Sequence, residues 1–459
     1  MKPALVVGEG IAGQATALAL AAAAIPVLLL AREPAEHTES THRHDGFDAA
    51  RGADDSPSRH LDDLLAVAGP GSRPFLESMT NGASAQLERL ERLEIPFERE
   101  RDGDLVLSQL KGSSVARSVH AESMTARHLS RRLSALLAKY EVSGQLHRYV
   151  GWTVVDLVLD DDGSACGVVA QCFATGELRS FEANGVCLAS GGHTGLFMHD
   201  TLAPGGLGGV TGLALRRGAS VVAPGSVSVH PLCYRAAGFV RRLPRRLESM
   251  NADLDAGLFD LTRLDRAPLR RAAGSALEAY AQAAGADPYS EPIVVMAAPD
   301  RTLGGLEVST DHATAVPGLY AVGGVIGAYF GAGTLPGTPL LAALHGSTRV
   351  AAAIGGYRDG SREKDLHKSS KAARKRAETA LASLLSRNDQ GDALHAASQR
   401  LRTVVARGEL KGTLDDIEER AAKVHLRDRS RAANTELRAW WDFEAALVLA
   451  RRIAEKEGT

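Results

Sequence analysis

Pro3-Ala4-Leu5-Val6-Val7-Gly8-Glu9-Gly10-Ile11-Ala12-Gly13 is the stretch on which the fold turns. Five apolar residues run straight into G-x-G-x-x-G, an alanine-rich helical segment follows, and Val27-Leu28-Leu29-Leu30 resumes strand character. This is a βαβ opening with its glycines at the strand-to-helix turn. Those glycines allow the tight turn, let the backbone approach a pyrophosphate and permit close helix-to-strand packing, while free N–H groups of the helix N-terminus face the phosphates. In isolation the hexapeptide says little; between a strand and a helix it predicts a dinucleotide site.

The chain of 459 residues is long enough for several domains and a large core. A net charge of −2 with 24% charged residues excludes a disordered chain and a nucleic-acid-coating surface. Glycine is in excess at 47 residues and clusters at particular places, without a collagen period. Cys166, Cys172, Cys187 and Cys233 show no C-x-x-C spacing and read as reduced core thiols. The apolar run from Ala15 to Ala31 lacks a basic leader and contains Pro26, so it reads as a buried helix and strand rather than a targeting or membrane segment. A cytoplasmic protein without membrane insertion is expected.

Further along, a polar stretch from Arg32 to Pro57 is too long for an ordinary connection and is expected to be functional. Residues 61 to 95 and Met124 to Tyr140 read as helical, and Thr153 to Leu159 and Cys166 to Phe173 as strands joined by the turn Asp160-Asp161-Asp162-Gly163. Val186 to Gly192 is a buried strand ending in glycines, Gly205 to Gly212 opens a helix, and Thr338 to Ile354 is a strongly apolar helix. After Arg358 the sequence becomes charged and nearly free of glycine, which suggests a boundary. The basic cluster Lys368, Lys371, Arg374, Lys375 and Arg376 reads as a solvated helix face.

Taken in order, these segments resemble the flavoprotein family of succinate dehydrogenase, fumarate reductase and L-aspartate oxidase. Beyond Gly8, Gly10 and Gly13, the family's S/T-x-x-A-x-G-G-I-x-A-A and D-D-S-x-x-x-H segments are similar to Ser40-Thr41-His42-Arg43-His44-Asp45-Gly46-Phe47-Asp48-Ala49-Ala50 and Asp54-Asp55-Ser56-Pro57-Ser58-Arg59-His60. Its A-T-G-G resembles Ala189-Ser190-Gly191-Gly192, its F-H-P-T resembles Val229-His230-Pro231-Leu232, and its V-P-G-L-Y-A-A-G-E resembles Val316 to Gly324. In the tail, N-x-E-L is matched by Asn434-Thr435-Glu436-Leu437.

The resemblance implies an α/β fold: a Rossmann-like FAD-binding domain (1–232 and 303–358), a small inserted capping domain (233–302) and a helical C-terminal region (359–459). It implies FAD held by Gly8, Gly10, Gly13, Ser40, Thr41, Gly46, Gly192, Gly323, Thr338, Leu340 and Leu341. Physics adds a reason for the last three: a reduced isoalloxazine carries negative charge near N1 and O2, and the helix opened by Gly337-Thr338-Pro339-Leu340-Leu341 could stabilise it through its N-terminal N–H groups.

Several departures matter. The ribose-binding acid at the end of the second strand falls on Ala31, with Arg32 and Glu33 as neighbours, and the glutamate of A-G-E is replaced by Gly324. The covalent flavin histidine of some relatives falls near Glu39, so noncovalent FAD is expected, although His37 and His42 lie close. Of the two histidines and two arginines that clamp a dicarboxylate in the family, only His230 is matched by register; Asp300 and Thr334 stand at the second histidine and one arginine, and the catalytic arginine has no clean counterpart beside Arg241-Arg242-Leu243-Pro244-Arg245-Arg246. The loop Tyr329-Phe330-Gly331-Ala332-Gly333-Thr334 also resembles that of 3-ketosteroid Δ1-dehydrogenases.

The expected function is therefore an FAD-dependent oxidoreductase acting on a small organic molecule other than a standard dicarboxylate. His230, Asp300, Arg301, Arg242 and Arg245 are the candidates for proton transfer and polarisation, with Arg241 a further member of the arginine cluster. A flavin-binding, electron-transfer or assembly protein without turnover is the alternative, and an electron-transfer partner protein or a homo-oligomer fits either. No metal site and no iron–sulfur cysteine pattern is seen.

Overall fold

A computed structural model describes residues 2–43, 46–197, 206–236, 239–250, 253–255, 257–360, 366–388 and 391–456. His44, Asp45 and Gly205, quoted above, lie outside the described residues. The expected α/β architecture is present. Five strands, Leu319–Ala321, Val186–Leu188, Ala4–Val7, Val27–Ala31 and Leu146–Val150, form one parallel sheet in that spatial order. The apolar runs of the first four follow from burial on both faces, which a parallel sheet imposes, while the edge strand Leu146–Val150 is mixed and only partly buried; Leu5, Val6, Leu29 and Leu188 are all fully buried. Ala4–Val7 has Val27–Ala31 on one side and Val186–Leu188 on the other, so the chain's path reverses there. In open α/β sheets a ligand crevice lies at such a switch point, beyond the carboxyl ends of the strands.

Helix Ile11–Ala22 is buried on nearly every side, and its small residues allow close contact with helix Thr338–Gly360: the Ser347 hydroxyl donates to the Ala12 carbonyl at 2.9 Å. The helical stretch expected over 61 to 95 is two helices, Pro57–Ala68 and Arg73–Arg92, because Gly69 turns left-handed (φ +83°) and Pro70 cannot continue the first. Strands Trp152–Leu159, Ala165–Cys172 and Leu178–Glu182 make an antiparallel sheet. At its first turn the Asp160 carboxylate accepts the N–H groups of Asp162 and Ser164 at 3.0 and 2.9 Å, a turn device and not a metal cage. Among the described residues no cluster could hold a metal, and no described helix is long and apolar enough to cross a membrane. The four cysteines are free thiols.

Between the parallel strands an insert carries its own apolar cluster, built on Leu232, Leu247, Phe259, Leu269, Leu277 and Ile293. It comprises the antiparallel strands Val227–Ala236, Phe239–Arg242 and Met296–Thr302, a second small sheet, and helix Arg266–Ala284. The C-terminal helices His367–Leu385, Leu394–Arg407, Leu414–Ala421 and Thr435–Lys456 behave differently: their buried side chains belong to the same cluster as the parallel sheet. The compositional shift after Arg358 thus marks a change of surface and not a separate core. Asn434 opens the last helix by accepting the Leu437 N–H at 2.8 Å, which gives the N-x-E-L motif a capping role. In the basic cluster, Arg376 pairs with Asp156 at 3.0 Å.

Candidate functional site: a dinucleotide cleft with an arginine-lined wall

At the carboxyl end of Ala4–Val7 the backbone must turn where a side chain has no room. Gly8 sits at φ +110°, and a Cβ there would lie 2.4 Å from the Ala189 carbonyl oxygen. One on Gly13 would lie 1.9 Å from the Gly8 carbonyl oxygen, so the helix can seat against the strand only with glycine at both positions. The N-cap of helix Ile11–Ala22 is Gly10, which offers no side-chain acceptor. From the long polar stretch Ser40 supplies one instead, accepting the Ile11 N–H at 3.1 Å. A helix start so built is an anion site.

A cleft of about 980 Å³ opens over this loop. One wall is Gly8 to Ala12, another the strand ends Ala189 to Gly192 and Gly323-Gly324, and a third the first turns of the apolar helix through Pro339, Leu340 and Ala343. Its size and its glycine floor suit an extended dinucleotide.

The wall facing the insert is cationic. Arg241, Arg242 and Arg301 line the cleft, and so does Arg43 from the polar stretch. Behind them the buried Asp300 carboxylate takes Arg242 Nη1 at 2.5 Å and Arg43 Nη1 at 3.3 Å, while Arg43 also pairs with Glu39. Burial alone would raise the Asp300 pKa; Arg43, Arg242, Arg301 and His230 outweigh it and hold the carboxyl well below the usual range. Asp300 is therefore a fixed anion at neutral pH, a counter-ion for the arginines and not a proton donor. The Arg301 guanidinium lies over the Phe330 ring, 5.8 Å from its centre.

Comparison with known proteins agrees with this geometry. The profile of the FAD binding domain family matches residues 4–244 and 235–340. The L-aspartate oxidase of Mesorhizobium japonicum is 31% identical over 394 residues, covering 77% of this chain and 74% of that protein. The chain belongs to the FAD-binding flavoprotein family. The succinate dehydrogenase flavoprotein subunit of Bacillus subtilis is 25% identical over 393 residues, covering 74% of this chain and 67% of the relative. In fold, a structure of E. coli quinol fumarate reductase superimposes with a TM-score of 0.87 at 20% identity, over 99% of this chain and 88% of that one. This is an FAD-dependent oxidoreductase family, and the resemblance seen in the motifs is confirmed.

Within this flavoprotein the residues singled out from sequence divide into two sets. Gly8, Gly10, Ser40, Gly192, Gly323 and Leu340 line the cleft, as do Arg242 and Arg301. Gly13, Thr41, Gly46, Thr338 and Leu341 do not: they stand behind its walls, Thr41 bonding the Thr38 carbonyl at 2.7 Å and Gly46 packed against Ser118 and His120. Of the remaining catalytic candidates, His230 is buried with Nδ1 accepting the Leu232 N–H at 3.1 Å, and Arg245 donates to the Val229 carbonyl at 2.8 Å; neither lines the cleft, nor does Asp300. Thr334, standing at an arginine position of the family, turns its hydroxyl to the Leu335 carbonyl at 3.3 Å.

Some cleft residues have no assigned role in the sequence reading, among them Arg43 and Glu9, with Arg32 and Glu33 named there only as neighbours of Ala31. Arg32 pairs with Asp442, delivered by the last helix, and Glu33 pairs with Arg438 from the same helix. Glu9, hidden inside the glycine motif, pairs with Arg148 at 3.0 Å. Asp300, Asp442 and Arg438 lie hundreds of positions from Arg43, Arg32 and Glu33, so these contacts leave no local pattern.

Proposed function

We propose that this flavoprotein transfers hydride between noncovalently bound FAD and a small organic substrate that carries less negative charge than a dicarboxylate. The observation behind this reading is the Asp300 carboxylate, which already neutralises part of the arginine wall. A dicarboxylate needs a cation at each end; here one such demand is met from within the protein. Bound FAD supplies the hydride acceptor or donor. Arg242 and Arg301 orient and polarise the substrate from the insert side, and Arg241 adds charge at the rim. The insert, 233–302, acts as a reduced cap over the FAD-binding part, 1–232 and 303–358; its separate apolar cluster supports this division. Noncovalent binding is favoured by Glu39, near which the covalent histidine of some relatives falls and whose carboxylate pairs with Arg43. An electron-transfer partner or a second copy of the chain belongs to the same reading.

The test is anaerobic bleaching of the flavin with a panel of 2-hydroxy and 2-amino monocarboxylates beside succinate, fumarate and L-aspartate. Saturable flavin reduction by a monocarboxylate, with the three dicarboxylates slow or inert, is expected. Rapid reduction by succinate or L-aspartate overturns the substrate class. One observation favours the second reading, a flavin-binding or assembly protein without turnover: His230, Asp300 and Arg245 are all held in structural bonds. Failure of the whole panel to change the flavin would favour it.

A further inference from the structure

The acid that would hold the adenosine ribose is absent at Ala31, yet a carboxylate is present at that place from another element. Glu9 leaves the loop after Ala4–Val7 and meets Arg148 on Leu146–Val150 at 3.0 Å. Between these two elements lies strand Val27–Ala31, whose Ala31 pairs with Val150 and whose Leu29 pairs with Arg148. Adjacent strands are roughly 4.8 Å apart, so the Glu9–Arg148 pair spans the carboxyl end of the middle strand, the end that Ala31 closes.

Glu9 lines the dinucleotide cleft together with Leu30, Arg32 and Glu33, and is 2% exposed. Neither of its oxygens accepts a hydrogen bond, despite the ion pair. A buried carboxylate in that condition is costly, and a vicinal diol, with two O–H donors side by side, is the partner that would satisfy both oxygens. We propose that Glu9 recognises the adenosine ribose of FAD, its carboxylate replacing the acid missing from the end of the second strand, with Arg148 as the positioning residue that holds it there. This rests on the flavin reading and extends it to a residue that the motif leaves variable. Glu33 is the rival, since it also lines the cleft, but it pairs with Arg438 and its side chain is 47% exposed.

The charged groups around Glu9 are Arg148, Glu141 and Glu36. Burial raises its pKa to about 7 against the pull of Arg148, with the two glutamates adding to the rise. Ribose hydroxyls favour the ionised form, so binding of the adenylate half strengthens as pH rises from 6 towards 8.

The experiment uses the apoprotein, with ADP and 2′,3′-dideoxy-ADP as calorimetric probes and FAD as the control ligand. Wild-type protein is expected to prefer ADP by on the order of 10-fold or more, the scale of hydrogen bonds to a charged group. In Glu9→Ala the preference should fall to within about 2-fold, while Glu33→Ala keeps it. Glu9→Gln, nearly isosteric, should lose most of the preference and the pH dependence while remaining folded. Equal binding of the two nucleotides by wild-type protein overturns the proposal, as does a preference that survives Glu9→Gln or is abolished by Glu33→Ala. Failure to bind FAD and ADP alike would instead contradict the flavin reading.

Discussion

Arg242 and Asp300 meet at 2.5 Å behind the cleft wall, and Arg43 reaches the same carboxylate at 3.3 Å. Both members of the first pair belong to the insert, and it is Arg43 that ties them to the long polar stretch beside the dinucleotide cleft, so the charge balance of the three bears on what can bind there.

Replacing that carboxylate should change ligand preference in a stated direction. Asp300→Asn leaves the shape but removes the internal anion, so Arg242 and Arg43 regain charge to offer a ligand. Succinate or malonate should then perturb the flavin spectrum with a Kd at least about 10-fold lower than in wild type, which corresponds to about 1.4 kcal/mol. Thermal stability should fall, since separating one partner from a buried ion pair is costly. Unchanged or weaker dicarboxylate binding in a folded variant would contradict the proposed role.

His230 is expected to act through packing more than through chemistry. Its Nδ1 takes the Leu232 N–H, and the residue is 3% exposed. His230→Ala should therefore lower the Tm by several degrees and reduce flavin occupancy, with less than a 10-fold loss of substrate-driven flavin reduction per bound FAD. A loss on the order of 10²-fold with FAD fully retained is the signature of a missing general acid or base, and would return His230 to the catalytic set.

Much of this was legible beforehand for a physical reason. The glycines at Gly8 and Gly13 are fixed by contacts a few residues or one strand away, and the apolar strands by burial on both faces, so local text carries them. Asp300 could be noticed as a substitution in register, but its meaning depends on Arg43, 257 positions earlier. Likewise the tail after Arg358 reads in sequence as a region of its own because its exposed faces are charged, yet its last helix, Thr435–Lys456, packs into the main core. Its inner face closes the core, where Gly212 packs so tightly that a Cβ would lie 1.9 Å from the Ala445 carbonyl oxygen. Glu9 stands at a position for which the motif sets no requirement, so local sequence leaves its role unmarked.

Acid should destabilise the protein well before its carboxylates are titrated. Burial lowers the pKa of His60, His193, His312 and His345 to about 4 each. Unfolded histidine titrates near 6.5, so between pH 6.5 and 4 the unfolded state binds more protons, and stability present above that window is lost as pH falls through it. Each histidine contributes up to about 1.4 kcal/mol per pH unit. Glu9, raised to about 7, works in the opposite sense between its unfolded value and 7, because there the folded state holds the extra proton. Four groups outweigh one, so the Tm of the apoprotein should drop steadily from pH 7 to pH 5. A flat profile over that range would show that these histidines are not buried in neutral form.

The central claim is that the glycine cleft holds FAD without a covalent link, and the absorption spectrum of the purified protein, followed by acid precipitation, tests it most directly. A yellow protein with flavin bands, a colourless pellet and FAD in the supernatant are expected. A yellow pellet would contradict noncovalent attachment and direct attention to His37 or His42. A colourless protein that fails to take up added FAD would contradict the claim itself.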